Sequence, residues 1–357
     1  MRRPLVLALS LVAVGAVLVA SLIVADDRAP SPAPAPSRSS APESTSGAAG
    51  ARDCDVSVPD GGDIQAAADA APVGSVVCLT GTYRIAAPIH AKDGQSFVGP
   101  ASITGTTHTG FELKGRRSGL DEAIDVTLID LDISGFELRA VECWRGTTIL
   151  GGRLHHNGRN GLGCGLEYAR GHVLIDGVEL DHNGSEGHLG SGASGMKIAQ
   201  LGPDGLTVRN SNIHDNIGNG IWCDVQCVGT FLIEDNLITA NARKGVHYEK
   251  SGASDEFREG EVVEGQAIIR NNVVTGNGTE GRTHAADGGI VGVSSRNMLI
   301  EGNTTADNHR AGIVLKTDGR LSGAKHGWPV EAIVRHDDAD DGIMGCDEAG
   351  VSCSGAE

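Results

Sequence analysis

VLIDGVELDHNG (173–184), LTVRNSNIHDN (206–216), FLIEDNLITAN (231–241) and AIIRNNVVTGN (267–277) are one phrase written four times, and TILGGRLHHN (148–157) and MLIEGNTTADN (298–308) write it twice more. Each phrase opens on a short alternating apolar run and closes on an asparagine: Asn157, Asn183, Asn216, Asn241, Asn277 and Asn308. After most of them comes a glycine and a second short run, such as GMKI, GIWC, GVHY or GIVLK. The first runs recur every 22 to 36 residues, on a basic unit of 22 to 25 that longer versions extend with loops. A unit of that length cannot bury a core alone, so the units must stack as a solenoid.

Stacking accounts for the asparagines. Coils of a parallel β-solenoid lie about 4.8 Å apart, so equivalent residues form columns, and an inward amide can bond its neighbours and otherwise unpaired turn backbone. The pattern covers Asp55 to Lys316. It resembles the right-handed parallel β-helix superfamily that includes pectate lyases, polygalacturonases and alginate epimerases. The resemblance implies an all-β, single-stranded right-handed parallel β-helix with an asparagine ladder. IQAAADAAPVGSVVCLTGTYRI (64–85) resembles the amphipathic helix and first strand that cap such helices at their N-terminal end, and PIHAKDGQSFVGPASITG (88–105) reads as the first coil. The DPHE phrase of alginate epimerases and the paired-aspartate motif of polygalacturonases are missing, and the fold itself hosts many activities.

Domain organisation follows from composition. Residues 1–25, two arginines followed by an apolar segment, read as a membrane anchor or signal peptide; 26–52 as a Pro/Ala/Ser-rich linker; 53–320 as the β-helix; 321–357 as a C-terminal cap or tail. The expected location is extracellular or in the cell envelope. Eight cysteines agree with an oxidising compartment, and their positions suggest the pairs Cys54 with Cys78, Cys143 with Cys164, Cys223 with Cys227, and Cys346 with Cys353. A net charge of −17 argues against nucleic acid and anionic membrane surfaces as partners. The expected partner is a polysaccharide, contact with a membrane is confined to the N-terminal segment, and the protein is expected to be a monomer.

Alternation also places candidate chemistry. When the second runs are aligned on their glycines, Gly163, Lys197, Trp222, His247, Val291 and Val314 form one outward column, and Gly165, Ala199, Asp224, Glu249, Val293 and Lys316 the next. Lys197, Trp222, His247, Asp224 and Glu249 therefore share a solvent-facing patch. Loops at 184–194, 250–265 and 278–288 are expected to wall it. Trp222 would offer a sugar ring an apolar face and a free indole nitrogen. Lys197 and His247 are candidate catalytic proton carriers, and Asp224 and Glu249 would bind substrate directly or through calcium.

A second constellation lies beside the ladder. His155, Asp181 and His214 stack on successive coils, with His156, His182 and Asp215 next to them, and the first three are the candidate ligands of a transition metal. Against this, His and Asp are ordinary turn residues. RHDDADDG (335–342) has the acidic density of a calcium loop without EF-hand spacing and reads as a solvated tail. The combined expectation is an exported β-helix that engages an extracellular or envelope polysaccharide, acting as a uronate lyase or epimerase if it is an enzyme. The alternatives are a non-catalytic stalk or adhesin and a metal-binding export factor.

Overall fold

The structure, a computed structural model, describes residues 53–114, 123–167, 170–185, 192–258, 261–279, 288–321 and 327–355. The expected N-terminal anchor and linker lie outside these residues. Each repeat phrase folds as one coil of a parallel β-helix. A representative coil runs Leu206–Arg209, Asn212–His214 and Asn219–Asp224. The first two strands join a 20-stranded sheet and the third a nine-stranded sheet. The next coil is in register, Leu206 pairing with Phe231, Ile213 with Ile238 and Ile221 with Val246. Inward residues of the smaller sheet, Leu162, Met196, Ile221 and Val246, are fully buried, so alternation sorts core from surface as the sequence predicts.

Both sharp corners of a coil use the same device. A residue in the left-handed region turns the chain, and the next residue points inward. At the second corner His182, Asp215 and Ala240, with φ of 51°, 51° and 53°, precede Asn183, Asn216 and Asn241. At the first corner Asp235, Asn271 and Gly302, with φ of 55°, 55° and 64°, precede Asn236, Asn272 and Asn303. In the predicted ladder the Asn216 backbone N–H and side-chain amide both donate to Asn241 Oδ1, at 3.3 and 2.8 Å, and the same amide donates to Leu180 O at 2.9 Å. The sequence reading missed a second ladder, which runs Ser211, Asn236, Asn272, Asn303. Its trace in the sequence is a polar residue five places before Asn216, Asn241, Asn277 and Asn308.

The leading glycines have an equally local reason. A Cβ on Gly220 would sit 2.6 Å from Gly245 O and 2.9 Å from Asn241 Nδ2, and one on Gly195 would meet Gly220 O at 2.9 Å. Backbone and ladder amide approach each other there too closely for any side chain.

The C-terminal boundary needs correction. Strands Ala332–Arg335 and Val351–Ser354 continue the larger sheet and Ile343–Met344 the smaller, so the solenoid extends past residue 320. RHDDADDG is a structural segment rather than a solvated tail. Asp337 Oδ1 accepts from the N–H and side chain of Asn303, each at 2.8 Å. Asp341 Oδ2 accepts from those of Asn308 at 2.7 and 2.9 Å. A last rung only has to accept, and a carboxylate only accepts.

At the other end a short helix, Ile64–Ala70, starts on Asp63, whose side chain accepts from Ala66 N–H at 3.0 Å. The four disulfides are those suggested by position: Cys54–Cys78, Cys143–Cys164, Cys223–Cys227 and Cys346–Cys353. Cys143 and Cys164 sit on adjacent coils with Cα atoms 4.9 Å apart, inside the permitted range.

Two outcomes are expected. Asn272→Ala should strand polar groups of both neighbouring coils and cost about 1–3 kcal/mol in chemical denaturation; a midpoint equal to wild type would remove the second ladder. Non-reducing peptide mapping of protein made in an oxidising compartment should recover Cys143 linked to Cys164, and a Cys143–Cys223 peptide would contradict the register.

Candidate functional site

The proposed column exists. On the smaller sheet Lys197 pairs in register with Trp222 and Trp222 with His247, while Ala199, Asp224 and Glu249 occupy the neighbouring column. Its geometry differs from the expectation in three respects.

First, Trp222 is not a free platform. Lys197 Nζ lies 3.7 Å from the centre of one indole face, and the His247 ring stacks at 5.5 Å and 22°. The indole nitrogen is also engaged, donating to Glu249 Oε2 at 3.2 Å. Strands one coil apart bring ring-sized side chains to stacking distance, so a column that places a cation, an indole and an imidazole in sequence pairs them with one another.

Second, His247 and Glu249 are not solvent-facing; they are 6 % and 7 % exposed. The cover comes from the connection after Lys316. Arg320 bonds Glu249 Oε1 through Nη1 and Asp318 Oδ2 through Nε at 2.7 Å, and Ser294 Oγ donates to Asp318 at 2.8 Å. Beside them Val291, Val293, Ala311 and Val314, on the outer side of the sheet, form a small hydrophobic cluster separate from the main core. Third, both carboxylates already have cations. Asp224 pairs with Lys197 at 3.0 Å and Glu249 with Arg320, so neither is available to calcium unless an ion pair opens.

The result is a cleft of about 340 Å³. Lys244, Arg243, Lys316 and Arg320 contribute positive charge to its lining, and Trp222 and His247 contribute rings. Burial, with Lys244 and Arg320 adding repulsion, holds the His247 imidazole well below its ordinary pKa, so it is neutral. Its Nδ1 is buried and has no hydrogen-bond partner among the described residues. Lys316 was legible as an outward residue. Lys244, Asp318 and Arg320 were not, because they lie just outside the aligned runs.

Parts of the expected walls lie among the described residues. Gly192, at the end of the 184–194 loop, approaches Lys197 and Trp222 so closely that a Cβ there would lie 2.7 Å from Lys197 Nζ. Most of 278–288 lies outside the described residues. The 250–265 segment forms an antiparallel hairpin, Ala253–Arg258 with Glu261–Glu264. The base of that hairpin, Glu264 and Gly265, borders a different cleft of about 640 Å³, shared with Gln266, Leu299 and Ile333 of the larger sheet.

The predicted metal triad is in register, Asp181 pairing with both His155 and His214, but its ligand atoms are occupied. His155 Nε2 faces Asp132 Oδ1 at 3.2 Å, and its Nδ1 faces His156 Nδ1 at 2.7 Å. His214 lies between Asp215 and Glu179, at 2.7 and 3.1 Å. Asp181 is fully buried beneath Arg153, which donates to both its oxygens at 2.7 and 2.6 Å. Burial pushes the Asp181 carboxyl up, but hydrogen bonds from Arg153 and His182 outweigh it and hold the pKa down at about 2.

Residues 93–262 match the family model described as "Right handed beta helix region". No curated protein matches the chain in sequence. Among solved structures, the Dettilon tailspike protein superposes with a TM-score of 0.49 at 13 % identity, over 79 % of this chain and 62 % of the tailspike. A mutant of the periplasmic alginate epimerase AlgG gives 0.49 at 13 %, over 85 % and 84 %. The pectate lyase Pel9A gives 0.41 at 16 %, over 85 % and 79 %.

The neutral, buried His247 has a consequence for stability. Its folded pKa lies below the unfolded value of about 6.5, so the stability it carries is present above that pH and is lost as pH falls below it. His214 acts in the opposite sense: burial disfavours its charge, but Asp215 and Glu179 outweigh this and raise its pKa. Melting temperature followed from pH 7.5 to 5 should therefore fall less steeply in His247→Gln than in wild type. Parallel curves would mean that His247 is not held neutral.

Proposed function

We propose that this right-handed parallel β-helix protein of the pectate-lyase-like superfamily binds an acidic polysaccharide in the cleft at Trp222 and His247. The observation that carries the reading is the charge of the cleft. On a chain of net charge −17, Arg243, Lys244, Lys316 and Arg320 line one small space around a neutral imidazole, against two carboxylates there, Glu249 and Asp318, both bonded to Arg320. Such a site suits a uronate, whose carboxylate meets the cations while its ring lies along the sheet.

The chemistry that fits is removal of the proton beside that carboxylate. The carbanion formed is stabilised by fixed positive charge, a role that falls to Lys244, Lys316 and Arg320 rather than to calcium on Asp224 and Glu249. His247 takes the proton. It is a weak base in the empty cleft, and the arriving carboxylate raises its pKa toward the range in which a general base works. Lys197, held by Asp224 against the indole, does not line the cleft, so the proton returned to the leaving oxygen or the carbanion comes from solvent. Trp222 fixes both side chains in place. Elimination makes the protein a lyase, and reprotonation makes it an epimerase. Four disulfides and the basic, apolar, Pro-rich order of residues 1–52 support export, so that the protein meets its polymer outside the cytoplasm.

Titration with oligouronates and neutral oligosaccharides tests this. Lys244→Ala and Lys316→Ala should each weaken uronate binding by about 1.5–3 kcal/mol, and added salt should weaken it further. His247→Ala should keep binding and lose turnover, read as an ultraviolet-absorbing unsaturated product or as solvent deuterium entering the polymer. A panel without uronate binding would leave the rigid stalk or adhesin as the function.

A further inference from the structure

Away from the cleft, the second corner carries imidazoles on two successive coils. His156 and His182 occupy the left-handed position before Asn157 and Asn183, each with φ of 51°. Their rings stack in parallel, centroids 4.8 Å apart and planes within 2°. Both are exposed.

Their hydrogen bonds determine which nitrogen carries the proton. His182 Nδ1 lies 2.6 Å from Asp181 Oδ2. Asp181 is ionised, so a neutral His182 donates through Nδ1–H and leaves Nε2 as a bare lone pair. His156 is set through one more residue. Asp132 Oδ1 accepts from His155 Nε2 at 3.2 Å. A neutral His155 then has a bare Nδ1, which accepts from His156 Nδ1 at 2.7 Å. That leaves His156 Nε2 bare as well. Neither Nε2 has a hydrogen-bond partner among the described residues. The neighbouring acids are Asp132, Glu179, Asp181 and Asp215, and the one guanidinium bonded among them is that of Arg153.

We propose that the Nε2 atoms of His156 and His182 bind one divalent transition-metal ion at this corner, with water completing its coordination. Asp181, and Asp132 acting through His155, are positioning residues. A ligand nitrogen of each histidine and an oxygen of Asp181 lie within 4.8 Å of one another. Two nitrogens at about 2.0–2.1 Å from a shared ion require the two stacked, exposed rings to turn toward it. A carboxylate bonded to the far nitrogen of a ligating imidazole is the usual support of such sites, and imidazole selects zinc, copper or nickel over calcium and magnesium. His214 is excluded, because both its nitrogens face carboxylates. The site therefore uses neither histidine of the triad His155, Asp181, His214, but the two beside it.

Calorimetry and elemental analysis on the full chain with zinc and with nickel provide the test. Wild type should take up about one equivalent, less tightly as pH falls and imidazoles protonate. His156→Ala and His182→Ala should each weaken uptake at least tenfold, Asp132→Asn about tenfold, and His214→Ala not at all. Nitrogen NMR of the ion-free wild type adds a reading that no variant has to fold for: His156 and His182 should both be Nδ1–H tautomers, and zinc should shift their Nε2 resonances and not those of His155. Absence of uptake, uptake unchanged in both alanine variants, loss in His214→Ala equal to that in His182→Ala, or a proton on His156 Nε2 would each overturn the proposal.

Discussion

A stacked coil must bury its corner peptides, and those peptides have no strand to pair with. The inward asparagine solves this, since one amide offers two donors and an acceptor, enough to bond the coil before, the coil after and the corner itself. Asn277 shows the full set. Its Oδ1 accepts from Asn241 N–H and Nδ2 at 3.1 and 2.9 Å, and its Nδ2 donates to Asn308 Oδ1 at 2.9 Å and to Ile238 O at 3.0 Å. A one-residue slip of any coil would leave several such groups unpaired, each at about 1–3 kcal/mol. The vertical register of the molecule is therefore held at the corners, and the sheets follow.

Once register is held, chemistry becomes columnar, because a side chain's nearest reactive neighbour is one coil away rather than one turn along the chain. The outer face of the larger sheet shows it in its simplest form. Asp176 with Arg209, Glu234 with Arg270 and Glu301 with Arg335 stack as ion pairs at 2.8, 2.6 and 2.9 Å. Partly exposed pairs of this kind add little stability individually, but like charges in their place would repel at every step. Lys197, Trp222 and His247 are the same construction on the smaller sheet, and His156 and His182 the same construction at a corner.

This explains what the sequence discloses and what it conceals. Strand pairing is periodic, so alignment of the repeats gave the register of Lys197 with Trp222, the Cys143–Cys164 pair and the first ladder. Coverage is not periodic. Arg320 reaches Glu249 from a long connection that has no counterpart in the shorter coils, and no alignment of runs would bring them together. Trp222 was placed correctly and its surroundings were not, because alternation states which way a side chain leaves the sheet and not whether its neighbours lean over it. The second ladder was obscured by variety, with Ser211 and Asp337 among its members. Asp337 and Asp341 sat in a segment whose acidity suggested solvent, whereas acceptor-only groups are what a terminal rung requires.

Arg320 also links the parts of the proposed site. Glu249 is buried, and its partners are Arg320, the Trp222 indole N–H and, at 3.8 Å, His247 Nε2. A uronate carboxylate entering the cleft competes with Glu249 and Asp318 for the guanidinium. If the ligand draws Arg320 away, Glu249 loses the cation bonded to its Oε1, a costly change that positive charge nearby relieves. His247 is a titratable group in position to supply it. Loss of Arg320's repulsion and of its pairing with Glu249 both raise the imidazole pKa. In the proposed reaction, the movement that admits an acidic sugar is thus the one that makes His247 more basic, and a neutral sugar, with no carboxylate to offer Arg320, leaves the imidazole as it was.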